Sequence, residues 1–158
     1  MLNPAHTLSN KRIVWLAVAL VALLGLWYAF RPELLFINKK VDEAPPAQAA
    51  GQPIPLYTGQ FRGDVHKTSG RATVYQLANE SRVITLTNFS TSSGPALHVI
   101  LLDGSGVSMN QDLGELKGNQ GDQNYALPAS VDLKRFNTVA IYCVRFHATF
   151  GVAKLDAF

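Results

Sequence analysis

A chain of 158 residues has room for one globular domain and an appendage. Lys and Arg outnumber Asp and Glu by 14 to 11, but the excess lies mostly ahead of residue 51, so the folded part offers no basic patch and nothing points to nucleic acid. A single cysteine rules out an intramolecular disulfide.

The first element is the uncharged run 13–30, IVWLAVALVALLGLWYAF. A helix that crosses a membrane needs roughly 17–25 such residues. Trp15 at one end and Trp27 and Tyr28 at the other suit the interfacial belts. A cleaved signal peptide is the competing reading, since Lys11 and Arg12 stand where its positive region would. Its cleavage site is lacking, because Trp27, Tyr28, Phe30 and Arg31 are large where small residues are required. We therefore expect an uncleaved, single-pass signal anchor. Lys11, Arg12 and the amino terminus flank one end of the run closely, against Arg31, Lys39 and Lys40 beyond the other. The expectation is a cytoplasmic tail 1–12 and an extracytoplasmic C-terminal domain.

Residues 31–55 read as a juxtamembrane segment and a Pro/Ala-rich linker. Arg31-Pro32 favours a break, and Leu34, Leu35, Phe36 and Ile37 either extend the helix or lie at the interface. VDEAPPAQAAGQPIP, residues 41–55, cannot bury a core and is expected to be a semi-extended tether. The folded domain is then 56–158.

That domain breaks into short apolar runs separated by turn residues. Strands are expected at 56–61, 71–77, 82–89, 97–103, 113–116, 124–127, 138–146 and 150–155, with one helical turn in 131–136. Asn79 to Ser81 suits a hairpin turn, and Ser92-Ser93-Gly94-Pro95 suits a sharp loop. About eight short strands of this spacing make the fold class all-β, an antiparallel β-sandwich. The runs 97–102 and 139–146 are apolar without clean alternation, so they should be central strands covered on both sides. Period-two alternation would place Ile141, Cys143, Arg145 and His147 on one stripe.

Cys143 is the residue with most chemistry. In an oxidising compartment a lone thiol is buried and inert, paired with another chain, bound to a cofactor, or used in redox chemistry. Apolar surroundings argue for inertness, whereas Arg145 on the same stripe would favour a thiolate unless it snorkels to water.

Several stretches combine into a recognisable pattern. GPALHVIL (94–101), LGELKGNQGDQNYALP (113–128), VAIYCVRF (139–146) and FGVAKL (150–155) together resemble the DM-thirteen domain, and Gly59-Gln60-Phe61 with 66–70 fit its opening. The resemblance implies a small β domain of secreted and membrane proteins, sometimes found beside cytochrome-like DOMON domains and proposed to transfer electrons. It implies that the family's shared cysteine, Cys143 here, acts as a bare thiol or a haem ligand. Ala96 departs from the family's usual Asp after Pro.

His98, within an apolar strand, is either a core histidine holding one hydrogen bond or a haem or copper ligand beside Cys143. Cys143, His147 and His98 also have the residue types of a blue-copper site, but no Met follows His147, which disfavours copper. Structural zinc lacks its paired ligand spacing, so no metal site is assigned. Residues 117–124 look like a phosphate cradle only superficially, since no helix start follows; a turn with Asp122 in an Asx arrangement is expected. No nucleophile elbow and no HExxH occur, so a stand-alone catalyst is not indicated. Two functions remain: electron transfer or redox sensing through Cys143, with haem as a possible cofactor and a redox protein as partner, or a binding or adhesion module with a structural cysteine.

Overall fold

The structure is a computed structural model and describes residues 10–30, 37–46, 52–63, 65–106 and 108–158. The Arg31-Pro32 break, the apolar residues 34–36 and the tail 1–9 lie outside the described residues.

Helix α1 (Asn10–Phe30) is continuous, and Asn10–Ala29 has a mean hydropathy of 2.0. Its described side chains are all exposed. With Lys11 and Arg12 in its first turn as its only charged residues, the helix is long and apolar enough to cross a membrane.

The remainder forms a separate compact unit. Its strands are β1 (Ile54–Gln60), β2 (Ser69–Gln76), β3 (Arg82–Ser90), β4 (Leu97–Leu102), β5 (Met109–Glu115), β6 (Gln123–Leu127), β7 (Thr138–Cys143), β8 (Ala148–Lys154) and β9 (Asp156–Ala157). They make two antiparallel sheets, β6-β3-β2-β1-β9 and β5-β4-β7-β8. Valine, isoleucine, threonine and aromatic residues fill these strands, as half-buried pleated surfaces favour. The β2–β3 hairpin closes through Asn79, whose Oδ1 accepts from Ser81 N at 3.1 Å and Ser81 Oγ at 2.6 Å.

The core lies between the sheets. Val74, Ile84, Leu86 and Tyr125 face Val99, Leu101, Val139, Ile141 and Cys143. Each aliphatic side chain buried there contributes about 1.5–3 kcal/mol relative to exposure. β4 and β7 are the inner strands of their sheet, and their other face carries a smaller cluster of Ile100, Leu102 and Ala140, with Tyr142 against it. The expectation of strands covered on both sides thus fits. The expected helical turn is present too: Phe136 N donates to Asp132 O at 2.8 Å, and Asp132 Oδ1 accepts from Lys134 N at 2.9 Å.

Two expectations differ from the structure. The strand expected over 138–146 stops at Cys143, because 144–147 turns, with His147 at φ 51°. Part of the expected tether is also no tether, since residues 37–46 form a strap along 117–124. Lys40 bridges Gln120 in parallel fashion, Val41 N donates to Gln120 O and Glu43 N to Asp122 O, both at 2.9 Å. Lys39 N donates to Asn119 Oδ1 at 2.7 Å. Glu43 closes the far end, taking Lys117 Nζ at 2.7 Å and Asn124 N at 2.8 Å. Glycine is required beneath it: a Cβ on Gly118 or Gly121 would strike the carbonyl oxygen of Lys39 or Val41 respectively. Pro45, Pro46 and the alanines suggest a linker, yet the hold comes from backbone groups that composition does not report.

The strap is expected to stabilise the domain. A fragment 37–158 should unfold at a higher urea midpoint than 52–158, because the shorter one lacks the strap's hydrogen bonds and the Glu43–Lys117 pair. Equal midpoints would show that the strap adds nothing. The Lys117 hydrogen bond holds Glu43 below the usual carboxylate range. A depressed carboxylate stabilises above its unfolded pKa and loses that contribution as pH falls through its folded one. Acidification through that range should therefore free the strap first, seen as tryptic cutting at Lys39 and Lys40 before the sheets lose their circular dichroism. Glu43→Gln should remove this pH dependence.

Candidate redox site at Cys143

β7 delivers Cys143 to the inner face at its last residue, between Leu97 of β4 and Ala148 of β8. The side chain is 0% exposed. Its Sγ donates to the carbonyl of Pro95 at 3.0 Å. Only the protonated thiol has a hydrogen to give that carbonyl.

A cap formed by the loop 91–96 covers the sulfur. Thr91 N donates to Asn119 O at 2.9 Å. Its hydroxyl meets that of Thr68 at 2.8 Å, and Thr68 Oγ1 also donates to Phe150 O at 2.8 Å. Gly94 packs on the Phe150 ring so closely that a Cβ would lie 2.9 Å from Cζ. His66 stacks parallel on the same ring, with centroids 3.7 Å apart. Ala96 O accepts from Val144 N at 3.0 Å, which ties the cap to the end of β7. Ala96 adopts φ 53°, a left-handed conformation that costs a non-glycine residue about 1–2 kcal/mol. The cap is thus anchored strongly enough to hold a disfavoured residue in place.

His98 and His147 lie elsewhere. His98 pairs with Tyr142 across β4 and β7, so it occupies the face opposite to Leu97 and Cys143. Its Nδ1 lies 2.8 Å from Asp112 Oδ2 in a partly exposed hydrogen bond. His147 Nδ1 lies 3.2 Å from the Tyr142 hydroxyl, outside the core. The expected stripe of Ile141, Cys143, Arg145 and His147 is corrected accordingly: alternation holds only while the chain is extended, and beyond Cys143 it turns. Ile141 and Cys143 face inward; Arg145 and His147 are exposed.

A haem iron or a copper ion needs its ligands aimed at one point. Cys143 and His98 are aimed away from each other through the sheet, and this pair does not fit either group. Among the described residues no three His, Cys, Asp or Glu side chains gather to hold a metal ion.

The 117–124 loop has a structural basis of its own. Gln123, fully buried, donates Nε2 to Gly118 O at 2.7 Å and accepts Gly118 N at 3.1 Å. Tyr125 donates to Gln123 Oε1 and accepts Lys117 N, both at 2.9 Å. Burial pushes the Tyr125 phenol up to about 12, so it remains a neutral donor. Asp122 Oδ1 accepts from Asn88 N at 2.8 Å, a bond to β3 rather than the expected Asx turn. Thr68, Thr91, Ser93 and Asn119, the polar groups that position the cap, escaped the sequence reading; their only signal was being buried or loop-bound polar residues near the glycines.

The thiol's bond to Pro95 predicts an order of stabilities. Cys143→Ala leaves the carbonyl unpaired and a small void, a loss of about 1–3 kcal/mol. Cys143→Ser keeps a donor and should lose less. Urea unfolding of both variants gives the comparison, and serine proving the more damaging would show that the carbonyl contact contributes nothing.

No curated protein and no solved structure is significantly similar to the chain. Residues 60–155 match the family described as electron transfer DM13. That span takes in Cys143, its whole cap and the 117–124 loop, and it covers more than half of the sequence. On this match the chain belongs to the electron transfer DM13 family.

Proposed function

We propose that this chain is a membrane-anchored, extracytoplasmic electron-transfer module in which Cys143 undergoes the redox change as a thiol, with neither haem nor metal on its sulfur. Family membership supports the electron-transfer role, and α1 supports the anchor. Lys11 and Arg12 in the first turn of the helix support a cytoplasmic amino terminus. The observation that carries the thiol reading is the placement of the family's cysteine one loop below the surface, at a strand end, with His98 on the opposite face of the sheet.

A lone cysteine exchanges electron pairs only with a second molecule. Cys143, once deprotonated to water, attacks a disulfide of a redox partner. A mixed disulfide forms, the partner's other sulfur leaves as a thiolate, and a second thiol reverses the step. The attack requires the 91–96 cap to lift.

The same burial favours a second reading, a binding module with a structural cysteine. A cleft of about 340 Å³ between the strap and the outer face of β2 and β3, lined by Glu43, Pro45, Pro46, Tyr75, Thr87 and Asp122, would then be its contact surface.

Equilibrating the full chain in glutathione buffers of graded potential, with intact-mass readout, separates the two. The thiol reading expects a mixed disulfide at Cys143 with a midpoint between about −300 and −120 mV, the span of protein thiol couples. A folded chain left unmodified across that range after hours would favour the binding module. The extracytoplasmic placement is tested by adding protease to intact cells; a protected C-terminal domain overturns it.

A further inference from the structure

We infer that the strap 37–46 is the latch of the cap over Cys143: docked, it holds the loop 91–96 shut, and released, it admits reagents to the sulfur. This deepens the proposed function and rests on its reading of Cys143 only for the purpose that access would serve.

The coupling runs through Ser93 and Asn119. Ser93 Oγ lies 2.9 Å from Ile37 O and 3.1 Å from Asn38 Oδ1, both on the strap. Asn119 is 6% exposed and uses both ends of its amide. Its Oδ1 accepts from Lys39 N. Its Nδ2 reaches Asn38 Oδ1 at 2.8 Å, Thr91 O at 3.0 Å and Ser93 Oγ at 3.2 Å. One side chain therefore holds the strap and two residues of the cap. The backbone runs alongside this link, since Gln120 bridges Lys40 on one side and, on the other, Ser90 at the end of β3, the residue before the cap. Pro95, whose carbonyl receives the thiol proton, is two residues beyond Ser93. Removing the strap strips partners from Asn119 and Ser93 together and leaves the front of the cap held only by Asn119, through Thr91 and Ser93, and by the Thr68 hydroxyl.

The strap is suited to detach alone. Its residues are exposed or half-buried, and its hold is polar. Segments with few buried apolar contacts and solvent-exposed hydrogen bonds open at lower free energy than the core. It also lies outside residues 60–155, so its docking on the 117–124 loop is separate from the family match.

The full chain in detergent, with its single cysteine, gives the test: the rate of alkylation of Cys143 by a maleimide under native conditions, read by intact mass. Gly118→Ala is the selective variant, because the three atoms nearest an added Cβ all belong to the strap, Lys39 O, Val41 Cγ2 at 2.7 Å and Lys39 C at 3.3 Å. Faster tryptic cutting at Lys39 and Lys40 confirms release. With the sheets intact by circular dichroism, labelling should rise about tenfold or more, with the weak urea dependence of a local opening. A wild-type labelling rate in a released strap overturns the latch. If Gly118→Ala does not fold, Ser93→Ala decides by itself: it removes only the side-chain bonds of Ser93 to the strap and to Asn119, and a rate unchanged from wild type overturns the proposal. Alkylation needs no redox activity, so the two ideas separate. Faster labelling in a chain that never exchanges with glutathione disulfide keeps the latch and removes the thiol redox reading; exchange without any effect of either variant does the reverse.

Discussion

The structure depends on how one loop carbonyl meets one inward-facing sulfur. Packing between the sheets sets where Cys143 points, and the Pro95 carbonyl gives its thiol a hydrogen-bond partner there. Everything around the cap follows from keeping that carbonyl in place: the Thr68 and Thr91 hydroxyls, the Phe150 ring under Gly94, and Ala96 held in a backbone conformation it would otherwise avoid. A disfavoured residue persists only where its surroundings over-determine it. The cap is therefore a built part of the domain rather than slack between β3 and β4.

Much of the sandwich was legible because burial writes itself into a strand. Ile84, Leu86, Val99 and Val139 alternate or cluster as core-facing residues do, and Asn79 and the Ser-Gly-Pro loop mark where the chain reverses. The strand ends were less so. Val144 and Phe146 continue an apolar run, yet hydrogen bonding of Val144 N to Ala96 O turns the chain away from the sheet. That bond is to a residue 48 positions earlier in sequence, and no local pattern could report it. β9 escaped notice for a related reason, being two residues paired at the edge of β1.

The site was legible in its centre and not in its surroundings. Cys143 stood out by being alone, but its partner is a backbone carbonyl, which every residue possesses. His98 stood out by its chemistry, and only the pairing register shows that Leu97, not His98, shares the face of Cys143. A shift of one residue in register would exchange the two. The strap was hidden most fully. Its interactions are main-chain bonds, side-chain bonds to Asn119 and Ser93, an ion pair and clearances over glycine, and prolines and alanines disguise it as linker.

The position of the strap has a practical corollary. A chain trimmed to begin at residue 52 keeps both sheets and the cysteine but discards the segment that helps close over it. The sulfur of such a fragment meets air and neighbouring copies more readily than that of the whole protein. A disulfide-linked dimer from a trimmed preparation would then be an artefact of where the chain was cut, and not the natural assembly.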